Sequence, residues 1–258
     1  MKSHEIDYKI IGEDIQLVEV ELDPSEVVIA EAGSMCYLED NIVFESKMGD
    51  GSEPEKGFFG KVFQAGSRAL MGESIFLTHF TNKGNVKRKV AFSAPHPGTI
   101  LPIDLSKISA NTLIAQKDSF LCAALGTKIS ISFNQKLGTG VFGGEGFILQ
   151  KIQGDGMVFI HGGGVIIEKF LNNETLRIDT GCIVAFESQL HYDIQRAGSL
   201  RSMVFGGEGI FLATLSGTGR VWIQSMPLSK LINTLSPVGN NTQRESGSVL
   251  GNITNIFE

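Results

Sequence analysis

The sequence predicts an all-β protein: three tandem β-sandwich units arranged as a pseudo-trimer, with a short inserted helix and a C-terminal helix. Three observations carry that expectation. First, "VFGGEGFILQKIQGDGMVFI", beginning at Val141, returns sixty-three residues later at Val204 as "VFGGEGIFLATLSGTGRVWI". The two segments align without a gap over twenty-two positions with eleven identities, and "MGESIFLTHF" from Met71 supplies a third copy. Second, each copy has an earlier limb of apolar entry, small or polar turn and apolar exit: "VVIAEAGSMCYL", "TLIAQKDSFLCA" and "TLRIDTGCIVAF". Third, short runs alternate apolar with polar residues and are punctuated by 31 glycines, which reach positive φ without steric cost.

Taken in chain order, "IQLVEVEL" alternates cleanly and opens the first unit as a strand. The three limbs follow as strand–turn–strand pieces, turning at Gly33, Asp118 and Gly181. From Asp118 to Gly144 and from Gly181 to Gly207 the spacing is 26 residues, whereas Gly33 to Gly72 spans 39. The extra thirteen residues fall within "KMGDGSEPEKGFFGKVFQAGS", predicted to be an inserted loop and helix near 47–70. "KISISF", "VIIEKFL" and "LHYDIQ" read as further strands. "MPLSKLINTL" places apolar residues at helical spacing behind Pro227 and predicts a helix, followed by a polar tail. The expected units are 1–95, 96–160 and 161–226, with 227–258 as helix and tail. A repeat of this length exceeds a solenoid unit and suits a small sandwich stabilised by its neighbours, packed about a pseudo-threefold axis.

Composition narrows the function classes. Hydrophobic residues make up 42% and charged residues 19%, well away from disordered composition. The net charge of −6 and the scatter of the basic residues, apart from Lys87-Arg88-Lys89, argue against nucleic acid as a partner, since phosphate neutralisation needs a concentrated positive stripe. That short run reads as a solvated strand end. No apolar run approaches a signal peptide or membrane span, so the expectation is a soluble, cytoplasmic protein. Cys36, Cys122 and Cys182 have no CxxC spacing and are expected as buried thiols.

The run "FGGEGIFLATLSGTGRVWIQS", with "GGGVIIEKFL" and "GSMCY" upstream, resembles the Altered Inheritance of Mitochondria twenty-four family, and the resemblance covers nearly the whole chain. It implies three copies of a short double-stranded β-helix related to the subunit of the tryptophan RNA-binding attenuation protein, arranged as a pseudo-trimer. On chemistry it implies little. The fungal branch is associated with the mitochondrial inner membrane and its cristae-organising complex, and prokaryotic members have no agreed activity. Glu5 and Asp7 depart from the Arg-rich, acid-poor pattern of a transit peptide. RNA binding does not carry over, because this acidic chain lacks a basic perimeter.

Candidate sites are few. Glu73, Glu145 and Glu208 occupy one repeat position and are candidate metal ligands if they converge on an axis. The alternative is that each carboxylate caps its own turn, for which Gly72, Gly144, Gly207 and Gly209 form the structural motif. "GTGVFG" at 138–143 satisfies GxGxxG, but strand-like residues follow where a helix is required, so it reads as a turn. His4, His79, His96, His161 and His191 contain no HxH pair; His96 and His161 are expected to make structural hydrogen bonds. Trp222 aligns with Phe159 as a core aromatic. The segment from Gly57 to Leu70 is amphipathic, a candidate for peripheral membrane association or for capping the first unit. The resulting expectation is a non-enzymatic binding or assembly module without cofactor, with an unidentified protein partner or copies of itself. Its rival is a metal-dependent or small-molecule enzyme of the double-stranded β-helix class.

Overall fold

A computed structural model describes residues 2–48, 76–135, 147–196 and 211–235. Those residues are mostly strand, in agreement with the predicted class, and form three antiparallel sheets. Alternation does what it predicts in β2 (Leu17–Leu22): Val18, Val20 and Leu22 are buried while the intervening residues are half-exposed. β2 lies between β1 (Asp7–Ile11) and β7 (Arg88–Ser93), and β4 (Met35–Leu38) completes the first sheet on the far side of β7.

The second sheet runs in the order β5 (Ile42–Met48), β6 (Phe76–Asn82), β3 (Val27–Ala30), β10 (Phe120–Ala124), β13 (Met157–Gly163), β8 (Gly98–Asp104). The third runs β11 (Lys128–Gln135), β12 (Phe147–Gln153), β9 (Thr112–Gln116), β15 (Ile183–Glu187), β17 (Phe211–Gln224), β14 (Ile166–Asp179), with β16 (His191–Arg196) also pairing β17. The predicted late helix is present as α1 (Leu228–Leu235), one residue beyond Pro227.

The predicted limbs are β3–β4, β9–β10 and the end of β14 with β15. Their turns differ in chemistry. Gly33 has φ +85°, a left-handed value that favours glycine, and Ser34 closes its turn on the carbonyl of Glu31 through both N–H and hydroxyl. Asp179 caps the third turn by accepting from the Gly181 N–H at 3.0 Å.

Pairing across limbs repeats. β3 pairs β10 with Ala30 opposite Cys122, and β9 pairs β15 with Ala115 opposite Ala185. β14 and β17 are 14 residues each and do the work of two shorter strands. Their ladder breaks between Leu171 and Glu174, where Asn173 has φ 56° and faces the bend at Gly217, φ 118°.

Three hydrophobic clusters fill the interior. One gathers Val18, Val20, Leu22, Phe80, Phe92 and Phe159; a central one holds Leu113, Ile152, Ile160 and Trp222; the last holds Phe147, Phe186, Leu215 and Val221. Trp222 is thus a core aromatic as predicted, with its indole N–H donating to Glu168 at 2.9 Å. The thiols depart from expectation. Cys122 is buried in β10, but Cys182 is half-buried and Cys36 is exposed on β4.

Candidate functional site

Several sequence-predicted residues lie outside the described residues: Glu73, Glu145 and Glu208, the motif glycines Gly72, Gly144, Gly207 and Gly209, the "GTGVFG" turn, and the segment from Gly57 to Leu70. Among the described residues no group of three or more His, Cys, Asp or Glu is placed to hold a metal ion, and no helix is long and apolar enough to cross a membrane. The basic run Lys87-Arg88-Lys89 sits where β7 begins. Lys87 is ion-paired with Asp7, Glu21 and Asp23 and Lys89 with Glu19, so the charge of both lysines is spent on neighbouring acids. Tyr37 donates to that same Glu19, which pushes its phenol up to about 12.

Of the five histidines, two come together. His96, in the linker after β7, and His161, in β13, stack edge-to-face with ring centroids 4.6 Å apart. Both line a cavity of about 340 Å³ walled by residues 31–34, residues 94–96, Asp118, Phe120, Leu121 and the first helical residue, Leu228. The expectation of structural hydrogen bonds fails at His161. It is 3% exposed, and neither Nδ1 nor Nε2 has a hydrogen-bond partner; His96 Nδ1 is also buried without one. Burial pushes the His161 imidazole down to about 4, with His96 adding to the effect, and burial lowers His96 as well. The Nε2–Cε1 edge of the ring abuts Gly98: a Cβ there would sit 2.5 Å from His161 Nε2 and 2.1 Å from the Gly162 carbonyl oxygen.

A carboxyl faces the same cavity. Glu31 is held by its backbone, its N–H donating to the Leu121 carbonyl at 3.1 Å. Burial and the neighbouring Asp118 charge raise its carboxyl to about 7, with Lys117 opposing them. Near neutral pH this pocket therefore holds neutral imidazoles, one part-protonated acid and the Asp118 carboxylate, beside an apolar wall.

The second junction, between β9–β10 and β15, has a counterpart at each position. Register puts Gln224 where His161 stands, since Ile160 opposes Phe120 and Ile223 opposes Ile183. Gln224 is fully used. Its Oε1 accepts from Gly163 N–H and its Nε2 donates to the Gly181 carbonyl, both at 2.7 Å. Gln116, buried and uncharged, stands where Glu31 does, because β9 takes the place of β3 in the ladder; Asp179, two residues before Gly181, has the Lys230 ammonium of α1 3.3 Å from its carboxylate. One junction is closed by its own side chains; the other leaves its polar groups facing a cavity.

The strands at the ends also differ from those inside. β10 and β15 are buried at every residue, as is β9. β4, which matches β10 and β15 in position, exposes Met35 by 40% and Tyr37 by 38%. The last six residues of β14, which match β3 and β9, are exposed at Glu174, Thr175 and Arg177. Among the described residues no ladder joins β4 to β14.

The family model described as mitochondrial biogenesis AIM24 matches residues 8–226. The chain belongs to the AIM24 family. An uncharacterised protein of Streptococcus pyogenes serotype M6 is 29% identical over 222 residues, covering 85% of each chain. The crystal structure of protein SPYM3_0169 from Streptococcus pyogenes superposes with a TM-score of 0.71 at 24% identity, over 90% of this chain and 98% of that one, which shows a shared fold.

Within this AIM24 chain, sequence reasoning passed over Glu31 and gave His161 a hydrogen bond it lacks. Repeat alignment does place Glu31, Gln116 and Asp179 at one position and Ser93, His161 and Gln224 at another. The usable signal was chemical difference between aligned positions, against a background of structural sameness.

Proposed function

We propose that this protein is a non-enzymatic assembly module whose chains join head to tail through β4 and the C-terminal half of β14. The observation that carries the reading is the contrast between equivalent strands: β9, β10 and β15 are buried at every residue and β3 at all but Val27, whereas β4 and the C-terminal half of β14 expose several residues each. In this reading the chain is three homologous units, 1–95, 96–160 and 161–226, the second unit's last strand β13 continuing to Gly163. Each internal junction uses one ladder, β3 with β10 or β9 with β15. The third such ladder, which closes a threefold arrangement, is made between chains.

Edge strands offer unpaired N–H and C=O groups and a template for another strand. By the register of the two internal ladders, Ile178 of one chain opposes Tyr37 of the next and Arg177 opposes Leu38. Such a contact is heterologous, giving a ring if the rotation closes and a filament if it does not. The family model that the chain matches is described as mitochondrial biogenesis, which a concatenating module would suit.

The test is sedimentation velocity of the full chain over a concentration series, with Met35→Lys/Tyr37→Lys as the edge-blocked variant. Self-association of wild type and loss of it in the variant are expected. Because the variant keeps a normal β14, mixing it with wild type should cap and shorten the assemblies. Wild type that stays monomeric throughout, or assemblies indifferent to the variant, would overturn the reading.

A further inference from the structure

The first junction differs from the second in the linker that crosses it. Gln224 accepts from the Gly163 N–H, two residues beyond His161 and three before Ile166. By strand register Ser93 matches His161, and Ile100 matches Ile166, since Ile100 opposes His161 as Ile166 opposes Gln224. Counted from either side, the residue in the place of Gly163 is then a proline, Pro95 or Pro97, with no N–H to give. The linker at the first junction is also two residues longer, seven steps from Ser93 to Ile100 against five from His161 to Ile166, and it sets His96 between those prolines. The sequence thus withdraws the backbone donor from His161 and brings up a second imidazole, its centroid 4.6 Å away. His161 is 3% exposed with neither nitrogen bonded, His96 Nδ1 is buried without a partner, and both rings line the same cavity. Buried polar atoms without partners are costly, so a partner is to be sought in that cavity.

We propose that this cavity binds a small uncharged carboxamide, its carbonyl oxygen and NH₂ group bridging the two imidazoles as the Gln224 side chain bridges Gly163 and Gly181. Each neutral imidazole has one N–H and one bare nitrogen, and the choice of tautomer lets one ring donate to the carbonyl while the other accepts from the amide. The Nε2–Cε1 edge of His161 is closed off by Gly98, which leaves Nδ1 of each ring for the ligand. Burial keeps both rings neutral near pH 7, so they offer no charge to an anion. Lys117 and Asp118 beside Glu31 already interact within the chain, so recognition falls to the imidazoles and not to a vacant charge. The apolar body of the ligand lies along Phe120, Leu121 and Leu228. A volume of about 340 Å³ is at the small end of ligand pockets and fits a single-ring carboxamide in preference to a nucleotide.

The probe is benzamide titrated into the full chain above pH 7, with histidine side-chain NMR resonances reporting on the site. Two controls keep its shape: acetophenone has the carbonyl without the NH₂ group, and benzoate is charged. Saturable shifts of the His96 and His161 rings are expected with benzamide, at an affinity about tenfold or more above either control, the scale of one buried hydrogen bond. Two variants extend the test. His96→Phe swaps one ring for another in a linker and removes Nδ1, so it should fold even where His161→Leu, which removes the buried imidazole, does not. Each should abolish the preference for benzamide over acetophenone, read from the imidazole that remains. Rings that never respond to benzamide, equal affinities for benzamide and acetophenone, or a preference that survives in either variant would overturn the proposal.

Discussion

Glu31 and His161 make opposite demands on pH, and replacing either should uncover the other. The Glu31 carboxyl stands at about 7 in the folded protein against an ordinary 4.5, so the native state holds its proton more tightly than the unfolded chain. Its contribution is most favourable below pH 4.5 and is lost as pH rises through 7. His161 stands at about 4 against an ordinary 6.5. Its neutral form is favoured by folding, so that stability is present above pH 6.5 and lost as pH falls through 4. At about 1.4 kcal/mol for each pH unit of displacement, each effect reaches about 3 kcal/mol at its limit, less whatever solvent contact restores. Between pH 4.5 and 6.5 the two slopes oppose each other and wild-type stability should be nearly level.

Thermal melts of wild type, Glu31→Gln and His161→Gln from pH 4 to 8 separate the two effects. Glu31→Gln removes the loss on the alkaline side, gaining on wild type from pH 5 upward and standing about 6–10 °C higher by pH 8 at the usual scale for a chain of this size. His161→Gln removes the acid-side loss and gains on wild type as pH falls below 6. Curves that run parallel for all three proteins would refute the account, because a merely structural effect of either substitution shifts Tm by the same amount at every pH.

Two further predictions rest on buried hydrogen bonds. Gln224→Ala strands the Gly163 N–H and the Gly181 carbonyl inside the second junction and should cost about 2–4 kcal/mol, read as a lower urea midpoint at unchanged slope. Asn82 is fully buried, donating to the Leu22 and Val86 carbonyls and accepting from Gly84 N–H; Asn82→Ala should cost about 3 kcal/mol by the same measurement. A loss under about 1 kcal/mol in either variant would mean that water replaces the side chain.

Much of the fold was legible because glycine turns and alternating strands leave local marks. The limbs at "VVIAEAGSMCYL", "TLIAQKDSFLCA" and "TLRIDTGCIVAF" became strand–turn–strand where predicted, and Pro227 announced α1. The fusion of two strands into β14 was not legible, since it depends on Asn173 and Gly217 bending opposite each other across a ladder. Nor was the site. His96 and His161 are 65 residues apart, and no spacing rule predicts that β13 will lay one ring against the other. Glu31 and Asp179 look alike in the repeat; what separates them is Lys230, delivered by a helix outside the repeat altogether.

That comparison within one chain is what turns an awkward histidine into a functional question. If the backbone at these junctions demanded an unpaired side chain, both would have one. Gln224 shows that a side chain in this register can reach a donor on one side and an acceptor on the other. The cost at His161 is therefore not imposed by the strand geometry. The same reasoning applies to β4 and β14: among the described residues the strands aligned with them are almost wholly buried, and under the proposed assembly the exposure of these two follows from the neighbour that a second chain supplies. Cys36 and Tyr37 stand where Leu121 and Cys122 are covered in β10, and a second chain is the simplest cover with the right shape.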